Sequence, residues 1–193
     1  MVDKFLKDRG FTELEGNCYS CPLQVEQLRR LTTNSHKVME IGFNGGHSAE
    51  VFLSNPQVTL TSFDLGMHNY VYPAKSYIDK MYPNRHTLII GDSRVTLPEY
   101  IKNNTTFDVI FIDGGHDYDI AKSDLENCFY LSHSDTIVIM DDTVYTVGNE
   151  KEYTIGPTKA WIEKLETNKI VELNRIEFSV GIGMSWGKYV LNN

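Results

Sequence analysis

The sequence predicts an α/β fold with a doubly wound, mostly parallel seven-stranded sheet and a C-terminal antiparallel hairpin. Two observations support this class. Short runs with strand character alternate with helical patterns along most of the chain, which is typical of parallel strands joined by crossover helices. Two further strand-like runs near the C-terminus are too close together for a helix between them, and this indicates a hairpin.

The apolar runs give the order of the strands. Parallel strands are predicted at residues 36–42, 58–64, 86–92, 107–113 and 135–142, and the hairpin at residues 169–178 and 181–191. The fourth and fifth runs are almost continuously apolar, as expected for central strands that are covered on both faces.

Helices are predicted between the strands. One apolar stripe at helical spacing consists of Ala121, Leu125, Cys128 and Phe129. Proline fits the first turn of a helix, because the N–H group it lacks would be unpaired there. This rule predicts helix starts at Pro22, Pro73 and Pro157.

Length and charge limit the organisation of the chain. Its 193 residues suit one domain, residues 1–193, in which we expect residues 1–35 to form a helical and loop segment that covers the site. The net charge of -8 argues against a nucleic-acid partner, because phosphate binding needs a cationic surface. The charged N-terminus and the lack of a long apolar run predict a cytoplasmic protein without a membrane partner.

The three cysteines carry little information. Cys18 and Cys21 form a C-x-x-C pair that could be half of a zinc site or a redox pair. The zinc interpretation needs a second pair of ligands, and Cys128 stands alone. The redox interpretation needs a preceding strand, and none is predicted. The role of the pair stays open.

Acidic residues lie in or just after the C-terminal end of every predicted parallel strand. They are Glu40, Asp64, Asp92, Asp113, Asp141 and Asp142. Doubly wound sheets bind their ligands at this edge. Any single aspartate could instead cap the next helix, but capping explains acids at all five strand ends less well, so the set favours ligand binding.

The turn after the first strand, "EIGFNGGHSA" at residues 40–49, indicates the kind of ligand. Its glycines allow a tight turn and close backbone approach, but their spacing is not that of a dinucleotide-binding turn. Glu40 would repel a pyrophosphate and suits a cationic ligand. Asp64 could accept ribose hydroxyls, and Asp92 an adenine amino group. Together these groups fit S-adenosylmethionine.

With "FIDGGHDY" and "MDDT" following in order, residues 18–145 resemble the class I S-adenosylmethionine-dependent methyltransferases. The resemblance is to the small metal-dependent O-methyltransferases, which include the catechol and macrolide-sugar enzymes, and it implies a Rossmann-like sheet. The cofactor-binding residues that it implies are Glu40, Gly42, Phe43, Asn44, Gly46, Ser48, Asp64, Asp92, Ser93 and Asp113.

The resemblance also implies roles for these residues. The methionine end would lie against Glu40, Gly42 and Gly46, its carboxylate would bind the Ser48 hydroxyl, and the adenine would meet Asp92 and Ser93. Asn44 replaces a glycine of many relatives. His47 is expected to lie against the cofactor turn.

The fourth and fifth strands should be neighbours, so that Asp113, Asp141 and Asp142 would converge. Three close carboxylates repel one another unless a cation lies among them, and the corresponding acids of the resembling enzymes bind Mg²⁺ or another divalent ion. The alternative is that Asp142 caps a turn while Asp141 faces water.

His116 follows Asp113 after two glycines, which allow a sharp turn towards the metal. A neutral histidine can remove the proton of an acceptor hydroxyl, so we expect His116 and Asp113 to be catalytic. A solvent-exposed histidine at a helix start is the alternative. The catechol enzymes have a lysine at this position. Its replacement by His116 favours a different small-molecule acceptor, such as a sugar hydroxyl, over a catechol.

Other functions remain open on the sequence. They are a non-catalytic S-adenosylmethionine-binding protein, an NAD-type oxidoreductase on a similar sheet, and a metal-independent N-methyltransferase. The glycine spacing and Glu40 argue against the oxidoreductase. A homodimer is compatible with the sequence.

Overall fold

The computed structural model describes residues 1–191, which form a seven-stranded sheet in the order β3-β2-β1-β4-β5-β7-β6. The strands are β1 Lys37–Ile41, β2 Thr59–Asp64, β3 His86–Ile90, β4 Phe107–Ile112, β5 Ser132–Asp141, β6 Ile170–Ser179 and β7 Ile182–Tyr189. The first five strands pair in parallel, and β7 is antiparallel to both β5 and β6. The predicted fold class and hairpin are confirmed.

Seven helices connect or precede the strands within the described part of the chain. They are α1 Val2–Lys7, α2 Pro22–Leu31, α3 His47–Leu53, α4 Val71–Met81, α5 Ser93–Ile101, α6 Tyr118–Phe129 and α7 Glu152–Glu166, with a 3₁₀ turn at Cys18–Ser20. In this described part, no helix combines the length and the apolar character that crossing a bilayer requires.

Alternate residues of the central strands enter two separate apolar cores. Val38 of β1 packs on the side of α2, α3 and α4, whereas Met39 packs on the side of α5, α6 and α7. Phe111 and Ile110 of β4 divide in the same way. Both faces of the sheet are therefore covered, which accounts for the continuous apolar runs of β4 and β5.

The strand order reverses between β1 and β4, and the candidate site lies at this switch point. The N–H of Asp113 donates to the carbonyl of Ile41 (2.9 Å), so the end of β4 is held beside the end of β1. Ligands of doubly wound sheets bind at such a point, at the carboxyl ends of the strands.

The predicted starts of the helices hold in part. Pro22 is the first residue of α2 and Pro73 lies in the first turn of α4, but α7 begins at Glu152, five residues before Pro157. The earlier start has a local cause: the Lys151 N–H donates to Thr154 Oγ1 (3.0 Å), and the Thr154 N–H donates to the Lys151 carbonyl (2.9 Å). These bonds cap the helix upstream of the proline.

Candidate cofactor and metal site

The turn after β1 depends on one glycine. Gly42 has φ +96°, and a Cβ atom there would overlap the carbonyl oxygen of Asp113, so only glycine lets β1 and β4 end this close together. Asn44 also has a left-handed backbone, with φ 48°, and its N–H donates to Asp64 Oδ2 (2.7 Å). Asparagine tolerates this conformation better than most residues, which explains how it can replace a glycine.

Glu40 lies fully buried beneath this turn. Its two carboxylate oxygens accept hydrogen bonds from the hydroxyls of Ser48 and Ser62, each at 2.6 Å. Burial raises the pKa of Glu40 to about 7, although both serine bonds oppose the shift. The Ser48 hydroxyl, expected to bind the cofactor carboxylate, donates to Glu40 in this structure.

The acids after β2 and β3 have local partners. Asp64 accepts the N–H groups of Asn44 and Gly66, each at 2.7 Å. Asp92 caps α5 by accepting the Arg94 N–H (2.9 Å), and it also pairs with the Arg94 guanidinium, so the capping alternative is observed at this position.

The start of α5 adjoins a buried acid that the sequence analysis missed. Ser93 is the first residue of α5 and lies beside Asp124 of α6. Asp124 is fully buried, and burial raises its pKa to about 7. The only sequence signal for Asp124 would have been its position as an aspartate beside the apolar stripe of a predicted helix.

The ends of β4 and β5 bring together Asp113, His116 and Asp142, which we call the rim group. One ligand atom of each lies within 4.8 Å of the other two. His116 Nε2 is 3.0 Å from Asp142 Oδ2, and this bond raises the pKa of His116. Asp142 has a left-handed backbone, φ 56°, a conformation that aspartate, like asparagine, tolerates better than most residues.

The electrostatics of the rim group suit a cation. Burial and then the nearby carboxylates of Asp141 and Asp142 raise the pKa of Asp113. Carboxylate oxygens and an imidazole nitrogen are suitable ligands for divalent metals. The residues present therefore fit a divalent ion, which would relieve the repulsion between the acids.

Asp141 differs from the expected arrangement. It is buried, and both of its carboxylate oxygens accept hydrogen bonds from Gln24 Nε2 at 2.8 Å. The alternative that Asp141 faces water is therefore wrong. In this structure His116, rather than Asp141, joins the two other acids, and the role of Asp141 as a metal ligand stays a prediction. Gln24 is 117 residues away in sequence, and no sequence signal indicated it.

The segment before α2 contacts the cofactor turn, where Asn44 Nδ2 donates to the Glu15 carbonyl, and it also contacts α3 and the start of α4. The Glu15 N–H donates to the Tyr70 hydroxyl (3.1 Å), and the Tyr19 hydroxyl donates to Glu50 (2.7 Å). Burial raises the pKa of the Cys18 thiol, and the charges of Asp113, Asp141 and Glu40 raise it further. Cys18 therefore lies near the acid beneath the cofactor turn and near the acids at the ends of β4 and β5. A raised thiol pKa argues against a reactive thiolate.

Two further contacts support the site, one at the rim group and one at the cofactor turn. A Cβ atom at Gly156 of α7 would overlap the carbonyl oxygen of His116, so α7 packs directly on the backbone that carries the histidine. His47 lies buried with Nε2 3.5 Å from Asp3 Oδ1, and a Cβ atom at Gly45 would come within 2.8 Å of its ring. It therefore lies against the cofactor turn, as expected.

Replacing Gln24 with leucine should destabilise the metal-free protein by about 1–3 kcal/mol, because the buried Asp141 carboxylate loses its donor. The loss should be smaller with Mg²⁺, since a cation can compensate the buried charge that the substitution leaves unpaired. Urea unfolding with EDTA and with Mg²⁺ measures both. Gln27→Leu, a change of a partly buried glutamine on the same helix, is the control, and an equal loss there would contradict the assignment.

Solved structures share this fold. A Klebsiella pneumoniae protein assigned provisionally as an O-methyltransferase has 18% identity and a TM-score of 0.74, covering 97% of this chain and 89% of its own. Cofactor-bound Rv0187 from MTB has 17% identity and a TM-score of 0.79, covering 98% and 89%. An O-methyltransferase from Bacillus cereus, solved in complex with S-adenosylhomocysteine (SAH), has 16% identity and a TM-score of 0.76. The match covers 97% of this chain and 90% of that chain.

The sequence itself supplies the remaining comparison. No curated protein sequence matches it significantly. A family model described as a methyltransferase domain matches residues 39–143, which are more than half of the chain and include the cofactor turn and the whole rim group. The chain therefore belongs to the methyltransferase domain family.

Proposed function

We propose that this protein is an S-adenosylmethionine-dependent O-methyltransferase that acts on a small-molecule hydroxyl with the help of a divalent cation, most simply Mg²⁺. The observation that carries the proposal is the proximity of two features at one switch point. The turn over Glu40 suits a cationic nucleoside-type ligand, and the rim group beside it combines metal-ligating acids with a histidine.

Glu40 supports the choice of methyl donor. Its carboxylate is buried and its hydrogen-bond partners are two neutral hydroxyls, so an ammonium group of a ligand would supply the missing positive charge. Asp64, at the end of β2, would hold the ribose, and Asp92 with Ser93 the adenine. We further propose that residues 1–35 cover the bound cofactor, through the contacts of Glu15, Tyr19 and Gln24.

The rim group supplies the residues for hydroxyl chemistry. When bound, S-adenosylmethionine supplies an activated methyl group, and a divalent cation supplies positive charge that makes an acceptor hydroxyl more acidic. Asp113 and Asp142 would hold the cation, together with Asp141, whose role as a ligand is predicted from the sequence. His116 would first release to solvent the Nε2 proton that it donates to Asp142, and Nε2 would then accept the hydroxyl proton.

One aromatic residue suggests where the acceptor lies. The ring of Tyr153 is 5.7 Å from that of His116 and tilted by 48°, and Tyr153 is exposed. The Tyr153 hydroxyl donates to the Gly181 carbonyl (3.1 Å), which holds its ring beside His116. Tyr145 is held further along, by Ser185 and by Arg175 above its ring. We propose that Tyr153 contacts the acceptor, and a sugar hydroxyl is the first class to test because histidine replaces the lysine of the catechol enzymes.

The proposal is tested by thermal unfolding with S-adenosylmethionine, S-adenosylhomocysteine or NAD, each with Mg²⁺ and with chelator. A ligand at 100 times its dissociation constant stabilises a fold by about 2.7 kcal/mol. We expect this stabilisation from the first two compounds, and methyl transfer to a sugar or phenol in a hydroxyl panel. Stabilisation by NAD alone would reverse the assignment, and binding without transfer to any hydroxyl would favour a non-catalytic binding protein.

A further inference from the structure

A chain of hydrogen bonds continues from Glu40 into the core. Glu40 Oε1 accepts from the Ser62 hydroxyl (2.6 Å), and Ser62 Oγ is 2.8 Å from His86 Nε2. Ser62 is fully buried, as is the side chain of His86. Glu40 and Ser62 are register partners on β1 and β2, so both point to the face that α3 and α4 cover.

The chemistry of these groups fixes the direction of the bonds. Above its pKa of about 7 the Glu40 carboxylate is ionised and can only accept, so the single hydroxyl proton of Ser62 goes to Glu40. The Ser62 oxygen must then accept from His86 Nε2–H. Burial and the nearby Lys75 lower the pKa of His86 to about 4, which keeps the imidazole neutral, and the bond to Ser62 then places its one proton on Nε2. His86 therefore keeps Ser62 oriented as a donor.

His86 supports the cofactor turn in a second way. Its ring stacks on Phe43 at 5.0 Å with an interplanar angle of 24°. Phe43 belongs to the turn, and a Cβ atom at Gly46 would lie 3.0 Å from its ring. One buried histidine thus touches both the chain of bonds to Glu40 and the turn that approaches the ligand.

We propose that Ser62 and His86 are positioning residues of the cofactor site, which hold the Glu40 carboxylate towards the ammonium group of the methyl donor. This inference rests on the proposed function, because it needs a ligand whose ammonium group lies beside Glu40. Without Ser62, one buried carboxylate oxygen has no donor, so Glu40 turns or takes up a proton, and its attraction for the ammonium group falls.

The test compares two ligands by calorimetry on the full chain. S-adenosylhomocysteine has the amino-acid group, whereas 5′-methylthioadenosine keeps the adenosine and the sulfur but lacks that group. Ser62→Ala should weaken S-adenosylhomocysteine binding about tenfold and leave 5′-methylthioadenosine binding unchanged. Ser62→Thr restores a hydroxyl and should recover most of the affinity. Ser76→Ala, on the surface of α4, is the control.

His86→Phe extends the test, because it keeps a ring against Phe43 and removes the N–H. It should weaken S-adenosylhomocysteine in the same selective way, and it replaces the Ser62 variants if they do not fold. Equal weakening of both ligands, or no change in either, would mean that the chain only satisfies buried polar groups and would overturn the inference. Wild-type protein that binds neither ligand would instead overturn the proposed function, and this inference with it.

Discussion

Replacing His116 with alanine is expected to lower the methyl-transfer rate by about 10²–10⁴-fold, the usual contribution of a general base. The expected cause is loss of the group that takes the acceptor proton beside Asp113 and Asp142. Release of S-adenosylhomocysteine, measured with any hydroxyl acceptor that the wild-type protein methylates, gives the rate. Binding of S-adenosylhomocysteine should hardly change, because His116 belongs to the acceptor side of the proposed site.

His133→Ala is the matched control for this experiment. His133 also pairs with an aspartate, Asp108, and its side chain is 37% exposed compared with 40% for His116, but it precedes the apolar part of β5, at the opposite edge of the sheet. This variant should keep full activity. If His116→Ala also kept it, His116 would be an exposed histidine at the start of α6, the alternative that the sequence left open.

The second large effect is expected from Glu40→Gln, which should stabilise the ligand-free protein above neutral pH. The pKa of Glu40 is about 7 in the folded protein, whereas the ordinary pKa of a glutamate side chain is 4.5. The folded state therefore binds the proton more tightly, and wild-type stability falls as the pH rises from 4.5 through 7. The difference corresponds to about 3 kcal/mol, which glutamine avoids.

Urea unfolding at pH 5 and pH 8 measures this effect. The advantage of Glu40→Gln should be small at pH 5 and largest at pH 8. The polar and charged groups that act on Glu40 are Ser48, Ser62 and Asp64, and Glu40 in turn raises the pKa of Asp113 and of the Cys18 thiol. Glu99→Gln, on the exposed side of α5, should show no such pH-dependent gain.

The same variant should bind S-adenosylhomocysteine at least about tenfold more weakly at pH 8, because the ammonium group loses its carboxylate partner. A gain in stability together with a loss of affinity is the result expected if burial of this charge serves binding. Unchanged affinity would remove Glu40 from the proposed cofactor site.

The fold was predictable because it depends on local patterns. Apolar runs, their alternation with helical stripes and the short connection before β7 determine the strands to within a few residues. The start of α7 was not predictable from Pro157, because a bond between Lys151 and Thr154 opens the helix earlier. A proline shows that its position is compatible with the first turns of a helix, but it does not show at which residue the helix begins.

The candidate site was predictable only at the strand ends. The proximity of Asp113, His116 and Asp142 could be predicted from the sequence, because parallel strands end at one edge of the sheet. The partners of the acids could not, because Gln24 and His86 reach Asp141 and Ser62 across the fold. A serine within a buried strand, two residues before Asp64, was the one available sign of the chain below Glu40.

The contact between Gly156 and the backbone of His116 has a consequence for engineering. A designer who wants new acceptors would diversify residues 145–151, which precede α7, together with the exposed ring of Tyr153. Libraries that also vary Gly156 would displace the histidine while they reshape the entrance, and losses from the two causes would be indistinguishable. Holding that single glycine constant should make acceptor range and reaction rate separately selectable.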